Sequence, residues 1–482
     1  MSDLRPILSV IGYLTLVLGA SMLVPGLIDL SDGSENWRGF ALSAFLTLSA
    51  GGIFVTLTSR ESVQAMTRRQ AFLLTTLVWL TLPCFGAVPF VYGAPQTTVA
   101  DAFFEAMSGL TTTGATVFSD LEAAPRGLLF WRALLQWYGG VGIVVVAVLF
   151  LPALKIGGMQ FFRSEGFDAR TDIMPQARAL AQNLMLVYAG LTVFAILGYS
   201  AAGMTIFDAL CHAMTTVSTG GYANYDASFG AFDPAAQYVA VVFMALGAMP
   251  FVVLVQAARG RTLLLWNDAQ IRAFMAIIAG VAVLLATWLA LEDDRPIEPA
   301  FRHALFNVTS ILTGTGYASE DFGLWGGFPS AVFFILALIG GCAGSTSCSA
   351  KIFRYQILFA ALAQQIRRIH SPSGVFPLRY QHRVVEAEVL SSVMAYFFVF
   401  VTAVSVWAML LSMFGLSAIT CISGSVAALA NVGPGLGAEI GPGGTYAGLN
   451  DGAKWLLSAG MLLGRLEFVA VLVLLTPDFW RR

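Results

Sequence analysis

Four ten-residue stretches stack without gaps when aligned on a closing glycine: EAMSGLTTTG (105–114), HAMTTVSTGG (212–221), NVTSILTGTG (307–316) and GSVAALANVG (424–433). Their seventh column reads Thr111, Ser218, Thr313 and Ala430, and their fourth Ser108, Thr215, Ser310 and Ala427. The Thr, Ser and Gly that dominate the ends of these stretches offer no acid, base or activated nucleophile. They offer backbone. Glycine permits positive φ and leaves room for a close approach, and a ring of such turns presents carbonyl oxygens that can replace the water around a dehydrated cation. One TTTG carries no such meaning; four at matching places do.

Such turns must be held at depth, and the surrounding chain supplies the means. Each stretch follows one long apolar run and precedes another, and the second run carries a glycine: Gly139, Gly247, Gly340 and Gly464. The unit is helix, short amphipathic segment, glycine loop, helix, repeated four times. Of the 482 residues, 57% are hydrophobic and 11% charged, against about a quarter charged in soluble domains. Runs 7–28, 133–154 and 274–291 have membrane-spanning length. The first is expected to be a retained helix rather than a cleaved leader. The four short segments cannot cross a bilayer. They are expected to enter from outside, stop midway and return as extended backbone, which is tolerated only where protein buries it or water reaches it. Their C-terminal dipole ends would then favour positive charge.

Charge placement sets the expected orientation. Assigning alternate connections to one side collects 19 of the 26 Lys and Arg there, among them Arg60, Lys155, Arg163, Arg170, Lys351, Arg354, Arg367, Arg368, Arg379, Arg383 and Arg482. That side is cytoplasmic by the positive-inside rule. The other keeps Arg38, Arg126, Arg132, Arg295, Arg302 and Lys454, and is acidic, with Asp226, Asp293 and Glu320 among its residues. An acidic mouth concentrates cations. Net charge is −2, and no basic tract suggests nucleic acid. The five cysteines, Cys84, Cys211, Cys342, Cys348 and Cys421, read as small buried hydrophobes.

Two features interrupt the apolar runs. GGCAGSTSCSA (340–350) places glycines and hydroxyls inside the second span of the third unit. It reads either as a broken helix whose freed backbone the Ser and Thr satisfy or as a small-residue packing face. Arg465 lies about a third of the way into a span, where a charge costs about 2.5 kcal/mol or more. It reads as a barrier and brace beneath a cation site, or as a partner of Glu467, or as a snorkelling side chain. Gly140, Ala248 and Gly341 fill the matching slot elsewhere. Glu105 and His212 share the first column and are expected to pack behind the loops or support a helix start; proton coupling by His212 is the alternative. Asp101 and Asp208 read as helix-start residues or as acids of the mouth. No carboxylate is expected deep in a span.

The motifs TTTGAT (111–116), STGGYA (218–223), TGTGYA (313–318) and ANVGPGLG (430–437), with GMLLGRLEFVAVLVLLTPDFWR (460–481), resemble the TrkH/TrkG branch of the superfamily of potassium transporters over essentially the whole chain. The resemblance implies an all-α integral membrane fold. Four pseudo-symmetric helix–pore-loop–helix repeats would surround one central pore, with two extra N-terminal spans near 5–31 and 38–59. The implied division is 1–66 for the two-helix portion and 67–165, 166–265, 266–380 and 381–482 for the repeats. Carried over, a potassium filter would use the carbonyls of Thr112, Thr113 and Gly114; Thr219, Gly220 and Gly221; Gly314, Thr315 and Gly316; and Asn431, Val432 and Gly433. The unwound piece, Gly340, Gly341, Cys342, Ala343, Gly344, Ser345, Thr346 and Ser347, would obstruct the pore together with Arg465. No loop reads TVGYG, and the residue after each closing glycine differs (Ala115, Tyr222, Tyr317, Pro434), so the four strands are not identical and looser discrimination of potassium from sodium is expected.

The resemblance also implies a homodimer in the bacterial inner membrane, in contact with lipid, and a TrkA-type cytoplasmic regulator. The chain has no P-loop or GxGxxG, so nucleotide is expected on that partner alone, and no cofactor beyond transported potassium. Proton- or sodium-coupled symport is the competing reading. An intramembrane enzyme is disfavoured, since no H-E-x-x-H or G-x-S-x-G occurs.

Overall fold

The computed structural model describes residues 4–58, 67–145, 173–292, 294–381 and 383–481. Arg60, Lys155, Arg163, Arg170, Asp293 and Arg482, counted in the charge bias, lie outside the described residues, as does the end of the run 133–154. The described chain is almost wholly helical. Its order is α1 Arg5–Ser21, α2 Leu23–Ser31, α3 Trp37–Thr58, α4 Arg68–Gly86, α5 Val88–Tyr92, α6 Val99–Leu110, α7 Arg126–Val145, α8 Ile173–Ala201, α9 Ile206–Val217, α10 Pro234–Gly247, α11 Phe251–Ala258 and α12 Leu263–Asn267. Then follow α13 Ala269–Glu292, α14 Ile297–Thr313, α15 Gly327–Ile339, α16 Ile352–His370, a two-residue hairpin (β1 Arg379–Tyr380, β2 Arg383–Val384), α17 Ala387–Ser412, α18 Ala418–Ala430, α19 Asp451–Arg465, α20 Val469–Leu475 and α21 Pro477–Arg481.

Among the described residues, six helices are long and apolar enough to cross a membrane, or seven if α10 and α11, bent by 103° at their break, count as one. Their outward faces are apolar: Phe45, Leu57, Leu186 and Phe398 are exposed. Among the buried residues are many polar ones, such as Thr111, Thr313, Ser345, Arg132, Arg354 and Arg465. This is the arrangement a hydrocarbon solvent selects, because apolar surface facing lipid costs little while unpaired polar groups there are expensive.

The short helices α6, α9, α14 and α18 carry the four glycine-ended stretches. Thr98, Thr205 and Ser417 cap α6, α9 and α18, each accepting the N–H of the residue three further on. Asp101 and Asp208 therefore stand at the third helical position, not at the cap. After each short helix the chain runs back as a loop into an exit helix: α7, α10, α15 and α19. Each exit helix packs on the next short helix: α7 on α9, α10 on α14, α15 on α18, and α19 back on α6. The series closes on itself.

Among the described residues, three exit paths are interrupted. The second bends at Pro250, where a proline lacking its N–H removes a helical bond. The third stops at Ile339 and resumes at Ile352. The fourth breaks between Arg465 and Val469, with Glu467 and Phe468 at φ 57° and 45°. Past the third break, α16 runs on to His370, and the chain then forms the hairpin.

Several charges are not where loop counting put them. Arg132 pairs with Glu105 at 2.8 Å and Lys454 with Asp101 at 2.6 Å, and Arg132, Lys454, Lys351 and Arg354 are all buried. Glu105 and Glu467 are buried carboxylates, one on the short helix α6 and the other at the break of the fourth exit path. Cys84 is exposed, unlike the other four cysteines.

Candidate functional site

Each short helix ends the same way. The tenth column is the glycine, and the ninth-column N–H returns to the fourth-column carbonyl: Thr113 to Ser108 (2.9 Å), Gly220 to Thr215 (2.8 Å), Thr315 to Ser310 (2.9 Å) and Val432 to Ala427 (2.9 Å). The eighth-column N–H returns to the fifth-column carbonyl in all four, Thr112 to Gly109, Thr219 to Thr216, Gly314 to Ile311 and Asn431 to Ala428. This pair of bonds is a Schellman cap, and it requires a left-handed residue at the eighth column. Thr112, Thr219, Gly314 and Asn431 have φ of 54°, 51°, 77° and 52°. For a β-branched threonine that conformation is strained. Local sequence explains the helix end; the strain at two threonines is supported by the packing around them.

The four loops meet. A methyl group on Gly114 would overlap the carbonyl oxygen of Gly220, and one on Gly221 that of Thr315. On Gly316 it would approach the nitrogen of Gly433 at 3.1 Å, and on Gly433 the carbonyl oxygens of Gly114 and Thr113, each at 2.9 Å. Gly114, Gly221 and Gly316 also sit at φ of 85°, 84° and 87°, whereas Gly433 is required by crowding alone. All four line one cavity of about 290 Å³, together with Thr116, Tyr225 and Asp226. In the first and third loops the hydroxyls below are tied in pairs, Thr111 with Thr113 at 2.8 Å and Thr313 with Thr315 at 2.7 Å.

The first-column side chains hold the returning strands. Glu105 accepts the N–H of Val117 (2.9 Å), His212 Nε2 that of Asn224 (3.4 Å), and Asn307 Oδ1 that of Ser319 (3.1 Å). Each acceptor lies twelve positions before its donor. In the fourth unit the first column is Gly424, and the preceding Ser423 accepts the N–H of Leu436 at 2.9 Å instead. Glu105, His212 and Asn307 thus do one job with three chemistries. His212 is neutral in this arrangement, since its Nδ1–H donates to the Asp208 carbonyl (2.8 Å) while Nε2 accepts. Both nitrogens of the buried ring are occupied, which favours the structural reading over proton coupling.

Beneath the loops lies the segment 340–350, buried except for half-buried Gly344. It takes up the backbone that the bend in the second exit path frees. Cys342 N–H donates to the Ala248 carbonyl (3.0 Å), Thr346 N–H to that of Gly247 (3.3 Å), and Phe251 N–H to that of Gly344 (2.9 Å). Thr346 Oγ1 donates to the carbonyls of Val217 (3.2 Å) and Gly247 (2.8 Å), and Thr219 Oγ1 donates to Thr346 Oγ1 at 3.2 Å. Ser349 N–H donates to the Ala430 carbonyl at 3.1 Å. The segment therefore touches the ends of α9 and α18. Gly340, Gly344 and Ser349 take φ of 78°, 73° and 65°, which excludes a continuous packing helix here.

Arg465 joins this segment to a distant helix. Its guanidinium donates to the Gly139 carbonyl (3.0 Å) and the Thr346 carbonyl (3.4 Å), and contacts Cys348 Sγ. It also lies 5.4 Å from the Trp79 ring centroid. Glu467 is not its partner. Glu467 pairs with Arg354, and with Lys351 at 3.4 Å, which fixes the break in the fourth exit path. Three of the four exit-helix glycines have one purpose: Gly139, Gly247 and Gly464 press against the sixth-column carbonyls of Leu110, Val217 and Leu429. Gly340 instead faces Cys348. The bend at Pro250 and the roles of Arg132, Arg354 and Asn307 were missed in the sequence. The Gly–x–x–Pro of 247–250 was the available signal for the first.

The TrkH family, described as cation transport protein, matches residues 39–481. The chain is 41% identical to the "Trk system potassium uptake protein TrkI" of Halomonas elongata, covering 99% of this chain and 97% of that protein. It is 34% identical to the "Trk system potassium uptake protein TrkH" of Salmonella typhimurium, covering 99% of each. The crystal structure of the potassium transporter TrkH from Vibrio parahaemolyticus superposes with a TM-score of 0.91 at 32% identity, over 99% of this chain and 100% of that one.

Proposed function

Because this chain belongs to the TrkH family of cation transport proteins, we propose that its four glycine loops form a backbone-carbonyl filter for potassium, closed from within by residues 340–350 and Arg465. It is a potassium uptake transporter of the Trk system, a multi-pass protein of the bacterial inner membrane and not an enzyme. In the finer reading, the four units are pseudo-symmetric repeats divided as 67–165, 166–265, 266–380 and 381–482. Gly114, Gly221, Gly316 and Gly433 form the outermost ring of carbonyls, and potassium passes as substrate. The observation that supports this is the contact of each of the four glycines with the backbone of another loop, around a cavity that all four line. Partial negative charge at the ends of α6, α9, α14 and α18 adds to the attraction.

The gate reading rests on position and composition. The segment lies under the ends of α9 and α18, held by backbone hydrogen bonds of 2.9–3.3 Å and by the Thr346 hydroxyl, and its side chains are small. A TrkA-type regulator would act on the cytoplasmic side, where α16 ends in Arg367, Arg368 and His370 and the hairpin carries Arg379 and Arg383. Nucleotide would belong to that partner, and the chain would work as a homodimer.

The test is rubidium flux into liposomes holding this protein alone, with sodium as competitor and pH clamped. Flux without a proton gradient supports a channel-like path, whereas strict proton dependence supports symport. Gly316→Ser, which would force a side chain onto φ 87° against Pro434 and Gly433, is expected to raise sodium entry relative to rubidium. Unchanged sodium exclusion in this variant would refute the filter.

A further inference from the structure

The four loops are not held equally: the Gly433 carbonyl accepts from the Tyr446 hydroxyl (2.9 Å), whereas the second loop is held at two peptides by one side chain. Gln136 lies on α7, fully buried. Its Nε2 donates to the Gly220 carbonyl at 2.7 Å, and its Oε1 accepts the Tyr222 N–H at 3.0 Å. The amide cannot be reversed, because a carbonyl only accepts and a peptide N–H only donates. One side chain thus spans Gly221 and fixes the peptides on either side of it.

The sequence supports this role from both ends. The ninth column reads Thr113, Gly220, Thr315 and Val432, so only the second loop lacks a side chain there. A methyl group on Gly220 would overlap the Gln136 amide. Glycine at 220 makes room for the clamp. Gln136 precedes Gly139 by three positions, and the residues three before Gly247, Gly340 and Gly464 are Met244, Ala337 and Met461. None of those can form the pair of bonds, and Pro434 in the fourth loop has no N–H to offer.

We propose that Gln136 is the residue that sets cation selectivity by positioning the Gly220 carbonyl. This rests on the filter reading above and adds to it. A carbonyl with one lone pair committed to a buried amide cannot turn freely to follow a smaller ion. Bonded on both sides of Gly221, the second strand is then a stiff member of the ring, and the size that the ring accepts is set against it. Removing the clamp frees the Gly220 peptide to move toward sodium.

The experiment uses Gln136→Met, which installs the residue found at the matching place in the second and fourth units, and Gln136→Leu as a second variant should the first not fold. Rubidium and sodium fluxes are measured in the same liposomes, with melting temperature in parallel. The sodium-to-rubidium ratio is expected to rise about fivefold, the factor that corresponds to one hydrogen bond of ordinary net strength. A lowered melting temperature with an unchanged ratio in the folded variant would overturn the proposal and leave Gln136 a structural residue. Gly316→Ser serves as the reference. If it shifts the ratio and the Gln136 variants do not, this inference alone fails. If none of them shifts it, the filter reading fails with it.

Discussion

Replacing Arg465 by methionine removes the guanidinium and keeps the bulk. The side chain bridges two bodies: the Gly139 carbonyl on α7, and the Thr346 carbonyl with Cys348 Sγ on the segment below the loops. Losing either end breaks the bridge, so the weaker end sets its strength. At 3.4 Å the bond to Thr346 is long. A hydrogen bond to a charged group contributes about 1.5–3 kcal/mol, and the lower part of that range, about 2 kcal/mol, is appropriate here. The segment retains its bonds to Ala248, Gly247 and Ala430, so it stays folded but less firmly seated. A bias of about 2 kcal/mol is close to a thirtyfold change in the open population when that population is small. The assay is basal rubidium uptake into liposomes without any regulator, and the expected result is a rise of that order. Arg465→Lys separates the two contributions, since it keeps a positive charge but cannot reach both sides as a fork. If closure is mainly electrostatic, the lysine variant stays near the parent; if it is mainly a brace, lysine leaks nearly as much as methionine. Unchanged or reduced uptake in a monodisperse methionine variant would refute the gate assignment.

Two further outcomes follow from buried groups near the loops. Glu105→Gln leaves Arg132 buried without its counter-charge, and breaking such a pair costs about 3 kcal/mol or more; a clear fall in melting temperature is expected, and an unchanged one would show that Thr116 and the Ala223 carbonyl suffice for Arg132. Thr112→Gly relieves a β-branched residue at φ 54° whose hydroxyl has no partner; it is expected to raise thermal stability by about 1 kcal/mol, and a loss would mean that the threonine packs better than its backbone suggests.

Much of the architecture was legible in the sequence because it is written in local patterns. Apolar runs set the helices, and the Ser/Thr and Gly columns of the four stretches marked the loop ends. A Schellman cap involves only six consecutive residues, and although threonine at 112 and 219 hides its glycine or asparagine signature, that signature stands at Gly314 and Asn431. The break at 340–350 was visible for the same reason, since Gly and Ser weaken a helix wherever they occur. The comparison with TrkH relatives agrees with that coarse outline.

What the sequence left open was every choice among distant partners. Glu467 sits two positions from Arg465, yet pairs with Arg354 and Lys351, because the backbone turns over at Glu467 and Phe468. Glu105, His212 and Asn307 share no chemistry, and only the fold reveals that each accepts an N–H twelve residues on. Arg132 looked like a loop cation until α7 carried it inward to Glu105. Local propensity depends on neighbours in the chain, whereas the partner of a buried charge depends on which helices pack together. The sequence by itself determined where helices run, where they stop and where glycine is needed. The tertiary structure decided which carbonyls, amides and charges meet, because desolvation makes an unpaired group too costly and packing limits which partners lie within reach.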